Sequence, residues 1–118
     1  MSLVGRKALV VGGSTGIGRA IAEVWSQAGL KVTVLSRTRP SELGNIHWMS
    51  VDLTDHRSVE AALAEVTATP LHAVCYAAVY YGDRRSLFSV TPFTELRQQI
   101  EVNLNGLWLT LPATLPAL

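Results

Sequence analysis

Cysteine is almost absent from this 118-residue sequence, which contains only Cys75. A single cysteine excludes an intramolecular disulfide and suits the reducing cytoplasm, where we expect the protein to reside. Cys75 lies in an apolar segment, and we predict a buried core residue rather than a reactive thiol. The three histidines do not have the spacing of metal ligands, so the sequence predicts no metal site.

Charge is also scarce and evenly balanced, with a formal net charge of +1. No basic cluster alternates with aromatic residues, which argues against a nucleic-acid surface, and we interpret the Arg84-Arg85 pair as part of a solvated loop. The N-terminus lacks the apolar segment of a signal peptide. Residues 102–118 carry no charge, but they are fewer than the ~20 residues of a membrane span and include two prolines. We therefore predict no membrane segment, and interpret this apolar helix as buried.

Glycine is concentrated just after the first apolar run, in the sequence Gly12-Gly13-Ser14-Thr15-Gly16-Ile17-Gly18. A strand that runs through such a turn into a helix is the arrangement that cradles a dinucleotide pyrophosphate. Gly12 and Gly16 would let backbone N–H groups approach phosphate oxygens, while Gly18 would let the helix pack tightly on the strand. Ser14 and Thr15 add hydroxyl donors. Ile17 completes the predicted contact set.

Strands and helices alternate along the rest of the chain. Helical periodicity over 17–28 places Ile21, Val24, Trp25 and Ala28 on one face, and strands are predicted at 31–36, 46–51 and 71–78. A second helix runs to about residue 68, and one long helix follows a loop at 79–89. This alternation predicts an α/β fold with a doubly wound parallel sheet of the Rossmann type, in the strand order 3-2-1-4.

The GxxxGxG spacing of the turn resembles the short-chain dehydrogenase/reductase family. Val11 stands where that family usually has threonine. The resemblance implies a nicotinamide dinucleotide cofactor and hydride transfer to or from a small carbonyl or alcohol substrate. The alternative interpretation is an ordinary glycine-rich turn in an α/β protein.

Ser36 and Arg37 occupy the end of the second strand, where an acidic residue commonly binds the adenosine ribose. An arginine offers a planar fork of donors to a 2′-phosphate, and a serine adds a hydroxyl without charge. The pair favours NADP(H) over NAD(H), and Arg39 could assist. The alternative is a solvated loop arginine.

Two further segments resemble the family's cofactor contacts. Asp52-Leu53 matches its Asp-hydrophobic pair at the adenine, although the acid could instead cap a helix. Ala77 and Ala78 keep the small side chains of the family's Asn-Asn-Ala-Gly sequence at the end of the fourth strand. Cys75-Tyr76 replaces the two asparagines, and we expect it not to supply their hydrogen bonds.

Asn103, in Val102-Asn103-Leu104-Asn105-Gly106, matches the asparagine of the family's central helix, which helps to hold a water linked to the catalytic lysine. The alternative is a buried amide bonded to backbone. The family's YxxxK pair does not occur in these residues, whose only lysines are Lys7 and Lys31. The resemblance therefore assigns cofactor binding to this chain and leaves the tyrosine and lysine outside it.

We expect a single domain over 1–118 that is incomplete at its C-terminus and inactive by itself. Three hypotheses follow: the cofactor-binding half of an NADP(H)-dependent oxidoreductase, a non-catalytic NADP(H)-binding or redox-sensing module, and a dimerisation fragment without a ligand. Bare apolar faces on the last helix predict a homo-oligomer formed through that helix.

Overall fold

The computed structural model describes residues 2–80 and 90–118. The predicted loop residues Arg84 and Arg85 lie outside these ranges. The elements are β1 (Lys7–Val11), α1 (Gly16–Gln27), β2 (Lys31–Ser36), β3 (His47–Ser50), α2 (His56–Val66), β4 (Ala73–Tyr76), α3 (Phe93–Ile100), a π-turn (Glu101–Asn105), α4 (Gly106–Thr114) and a final 3-10 turn (Leu115–Ala117).

The four strands form one parallel sheet in the order β3-β2-β1-β4, which confirms the predicted Rossmann-type topology. β1 is central and pairs with β2 on one side and β4 on the other. Because all strands run in the same direction, their carboxyl ends meet at one edge. The segments that follow Val11, Ser36, Ser50 and Tyr76 are therefore brought together there.

Alternating residues of β1 supply two separate cores, one on each face of the sheet. Ala8 and Val10 lie in a cluster that includes Ala22 of α1. Leu9 and Val11 lie in the other cluster, with Leu63 and other α2 residues. The last helix contributes to this second cluster, since Leu109 packs against it. Helices thus cover both faces, as expected for a parallel sheet buried on both sides.

The buried face of α1 differs from the predicted one. Ala22 is buried, whereas Val24 and Ala28 are exposed, with 62% of Val24 accessible. The small residues Gly18 and Ala22 occupy adjacent turns on the side that lies on the sheet, so the helix approaches closely there. At about 100° per residue, Val24 is roughly 200° away from Ala22 and faces away from the sheet. Ile21 and Trp25 pack against the same cluster as Ala22, as predicted, whereas the prediction of Val24 and Ala28 on the buried face was wrong.

Smaller corrections concern the ends of elements. β3 and β4 are shorter than the predicted 46–51 and 71–78, and α2 ends at Val66 rather than near residue 68. Backbone hydrogen bonds nevertheless continue beyond the strands: Val51 N–H donates to Ser36, and Ala77 N–H donates to Val11. The strand ends therefore remain aligned up to the segments that matter for a ligand.

The long final helix is present from Phe93, but the π-turn interrupts its α-helical bonding. Thr110 and Thr114 are fully buried, and each hydroxyl donates to the carbonyl four residues before it. The prediction that the final helix is buried on every side was wrong, because Trp108 is 65% exposed and Leu115 is 59% exposed. In the part of the chain that the structure describes, only one side packs, against α2 and β4. No helix among those residues is long and apolar enough to cross a membrane.

Candidate dinucleotide site

A cleft of about 520 Å³ opens at the carboxyl edge of the sheet. Its walls come from the turn after β1, the ends of β2 and β3, the segment after β4, and the last helix. The lining residues that the sequence predicted are Gly12, Ser14, Thr15, Gly16, Ile17, Ser36, Arg37, Asp52, Leu53, Ala77 and Ala78. The fold therefore brings residues from four separate segments to one cleft.

The three motif glycines meet different steric demands. Gly12 has φ +85°, and a Cβ there would lie 2.5 Å from the backbone N of Ala78. A Cβ on Gly18 would lie 2.2 Å from the carbonyl oxygen of Gly12, so Gly18 lets α1 pack on the turn, as predicted. Among residues 2–80 and 90–118, a Cβ on Gly16 would meet no atom within 4 Å, and Gly16 lines the cleft. Gly16 therefore preserves space on the ligand side of the turn.

The N-terminus of α1 is suited to an anion. Thr15, at the N-cap position, makes no capping side-chain hydrogen bond, and the first turn contains no acidic residue. At α2, by contrast, the Asp55 carboxylate accepts a hydrogen bond from the Arg57 amide. Uncapped amides and the positive end of the helix dipole favour phosphate binding at α1. Gly16 leaves open space beside these amides on the cleft side of the turn.

Ser36 and Arg37 have different environments at the end of β2. The buried Ser36 hydroxyl donates to the Thr38 carbonyl at 2.8 Å and accepts from the Trp48 indole N–H at 3.0 Å. The hydroxyl proton of Ser36 therefore already has an acceptor within the chain. Arg37 is exposed and lines the cleft, whereas Arg39 does not belong to the lining. Arg37 is thus the better-placed donor to an anion at this edge.

Asp52 is held as a carboxylate beside Leu53. Its Oδ1 accepts from the Thr54 hydroxyl at 2.6 Å and from the Thr54 amide at 2.9 Å. These two hydrogen bonds, with a smaller contribution from the charge of Arg37, keep the pKa of Asp52 below its ordinary value. Because Asp55 caps α2, the helix-capping alternative for Asp52 does not hold. Asp52 lies in the cleft wall as an acceptor.

Asn103 is exposed, and its side chain pairs with the backbone of Tyr80. Its Oδ1 accepts from the Tyr80 N–H at 2.7 Å, and its Nδ2 donates to the Tyr80 carbonyl at 2.9 Å. A carboxamide has two N–H donors and two acceptor positions on oxygen, so one of each is left by this pairing. The alternative prediction was therefore right about a backbone partner and wrong about burial.

Tyr76 forms a hydrogen bond that was not predicted from the sequence. The Tyr76 hydroxyl donates to the carbonyl of Val102, and this joins the end of β4 to the π-turn. Cys75 lies on the other face of the sheet, half-buried against the α1 cluster, where burial raises the pKa of its thiol.

A second set of cleft residues, all of them uncharged, was not predicted from the sequence. They are Leu35, Thr38, Val51, Thr54, Val79, Tyr80, Gln98 and Val102. Most directly precede or follow a predicted site residue, as Leu35 precedes Ser36. Gln98 and Val102 are four positions apart, so they share one face of the last helix, and that spacing could have revealed them.

Comparison with known proteins agrees with this geometry. A sequence model of the family described as short chain dehydrogenase matches residues 6–118. The chain belongs to the short-chain dehydrogenase family. Among curated proteins of the family's type, L-xylulose reductase of Bos taurus is 30% identical over 113 residues, which cover 87% of this chain and 46% of that protein. D-erythrulose reductase of Gallus gallus is 42% identical over 69 residues, covering 53% of this chain and 28% of that protein.

The fold is also similar to that of solved structures of short-chain dehydrogenases. Ligand-free aldohexose dehydrogenase of Thermoplasma acidophilum superposes with a TM-score of 0.84 at 28% identity. The match covers 98% of this chain and 45% of the other. The chain thus spans at most about half the length of these relatives. Among residues 2–80 and 90–118, no group of three or more His, Cys, Asp or Glu side chains could hold a metal.

Proposed function

We propose that this chain supplies the cofactor-binding part of an NADP(H)-dependent oxidoreductase. The observation that carries the proposal is the uncapped N-terminus of α1 facing a glycine-lined cleft, with space kept open at Gly16. When bound, the cofactor would supply hydride exchange with a small carbonyl or alcohol substrate. The relatives named as reductases of D-erythrulose and L-xylulose support a substrate of this class.

The chain's own residues would bind and orient the cofactor. Amides at the start of α1, including those of Ile17 and Gly18, would hold the diphosphate, with hydroxyls of Ser14 and Thr15 beside them. Asp52 would accept from the adenine amino group, next to Leu53. Ala77 and Ala78 would let the adenosine ribose approach the end of β4, since their side chains are small.

Asn103 is part of the same proposal, as a group that helps to hold a water in the proton path. Its remaining N–H and acceptor position could bind that water while the amide keeps its pairing with Tyr80. The YxxxK tyrosine and lysine are not among these 118 residues. We therefore assign no proton donor for the substrate among these 118 residues.

Arg37 supports NADP(H) as the preferred cofactor. It lines the cleft at the end of β2, where the 2′-phosphate of a bound NADP(H) would lie, and no acidic residue precedes it in that strand. The positive charge of Arg37 also contributes to lowering the pKa of Asp52, which lines the same cleft. Ser36 contributes less than the sequence suggested, since its proton is donated to Thr38.

Arg37→Asp tests this preference by reversing the charge at the 2′-phosphate. We expect the dissociation constant for NADPH to rise by about ten- to a hundredfold, because a charge-assisted hydrogen bond is lost and a repulsion is added. The dissociation constant for NADH should change by less than about twofold. Calorimetric titration with both nucleotides measures the two values.

Lys31→Asp is the matched control, because it makes the same charge change at the opposite end of β2. It should leave both affinities near those of the unmodified protein. Unchanged NADPH affinity in Arg37→Asp, or equal losses for NADPH and NADH, would refute the assignment.

The second candidate function is a non-catalytic NADP(H)-binding or redox-sensing module, which the absence of YxxxK from these residues keeps open. Turnover separates the two. Incubating the complete protein with NADPH and a panel of aldehydes and ketoses should oxidise the cofactor in a substrate-dependent manner. Tight NADPH binding without oxidation by any substrate would favour the module.

We also propose a cytoplasmic homo-oligomer that associates through the last helix. Ile100, Leu104 and Trp108 are exposed at four-residue spacing, so they form one apolar stripe. Trp108→Glu should shift the sedimentation of the protein toward the monomer. An unmodified protein that sediments as a monomer would contradict this proposal.

A further inference from the structure

Tyr76 makes an unusually constrained contact with the last helix. Its hydroxyl donates to the Val102 carbonyl, and a Cβ on Gly106 would lie 2.2 Å from the hydroxyl oxygen. Only glycine at position 106 therefore leaves room for this phenol. Burial raises the pKa of Tyr76 to about 12. The phenol, which is protonated at neutral pH even at the ordinary tyrosine pKa, is a hydrogen-bond donor there.

The acceptor carbonyl is available because of the π-turn. The Gly106 N–H donates to the Glu101 carbonyl, five residues back, where an α-helix would use the Val102 carbonyl, four residues back. The Val102 carbonyl accepts from Tyr76 instead. The local distortion of the helix and the phenol of Tyr76 thus complement one another.

The same π-turn forms part of the cleft wall. Val102 lines the cleft, and the next residue, Asn103, pairs with both backbone polar groups of Tyr80, which also lines it. Glu101, at the start of the turn, is held by His56 at 2.9 Å and by Asn105 at 3.0 Å. Neither of these bonds connects the turn to the sheet. Tyr76 is the described side chain that ties the π-turn to β4.

We infer that Tyr76 is a positioning residue for the cofactor cleft: through the Val102 carbonyl it fixes the π-turn, and through Asn103 it fixes the backbone of Tyr80. The consequence for cofactor affinity rests on the proposed function. The consequence for Tyr80 does not, because its hydrogen bonds exist without a ligand. The two can therefore be tested separately.

Tyr76→Phe removes only the hydroxyl. Without added nucleotide, hydrogen exchange at the Tyr80 amide should accelerate at least about threefold relative to the Leu9 and Val11 amides of the central strand. The dissociation constant for NADPH should rise about three- to tenfold, the factor that accompanies loss of one neutral hydrogen bond. Amide exchange by NMR and calorimetric titration of the complete protein measure these effects.

Gly106→Ala tests the same contact from the helix side. Its methyl group should displace the phenol and reproduce both effects of Tyr76→Phe. In the Y76F background the clash with oxygen is gone, and the remaining 3.2 Å contact with Cζ needs only a small shift. The double variant should therefore resemble Tyr76→Phe, so that the two changes are strongly non-additive.

Thr114→Val is the control, since it removes another buried hydroxyl donor from the same helix, two turns beyond Gly106. It should lower the melting temperature without selective exchange at Tyr80 or weaker NADPH binding. The inference is overturned if exchange at Tyr80 rises no more in Tyr76→Phe than in Thr114→Val, or if Gly106→Ala acts equally in both backgrounds. If the unmodified protein does not bind NADPH, the proposed function fails, while exchange at Tyr80 still decides the inference.

Discussion

The geometry of the cleft depends on one constraint, the close approach of backbone segments at the glycine turn after β1. The Cα of Gly18 lies so near the Gly12 carbonyl, and that of Gly12 so near the backbone of Ala78, that no Cβ fits at either position. These contacts place the start of α1 between the ends of β1 and β4. The positive end of the helix dipole is thereby directed at the cleft, where the Gly16 position leaves room for an anion.

Hydrogen bonds within the chain orient polar groups in the rest of the cleft wall. Ser36 is fixed between Thr38 and Trp48, and Asp52 is fixed by Thr54. A ligand therefore meets groups that are already oriented, which lowers the entropic cost of binding. Arg37 differs from them, because it is exposed at the rim. This division suits a site in which the walls set shape and the rim arginine selects charge.

The alternation of strands and helices predicted the strand order. Glycine spacing, strand ends and the family resemblance together predicted part of the cleft lining, including Gly16, Arg37 and Asp52. Helical periodicity placed Ile21 and Trp25 correctly on the packed face of α1 but not Val24, because the closest packing is at Gly18 and Ala22 and leaves Val24 outside. The contact that Tyr76 makes could not be predicted from the sequence either. Its hydroxyl bonds to the Val102 carbonyl, 26 positions away, and this carbonyl is available because the helix forms a π-turn. No spacing of residues in the sequence predicts that π-turn.

We propose that the open space at Gly16 receives the cofactor's diphosphate. Gly16 and Gly44 have left-handed φ angles of +61° and +56°, and a Cβ at either would meet no protein atom, but only Gly16 lines the cleft. Titration of the two alanine variants with NADPH tests the claim at matched backbone strain. We predict an affinity loss of at least about tenfold for Gly16→Ala and none for Gly44→Ala. Equal affinities in the two variants would contradict it.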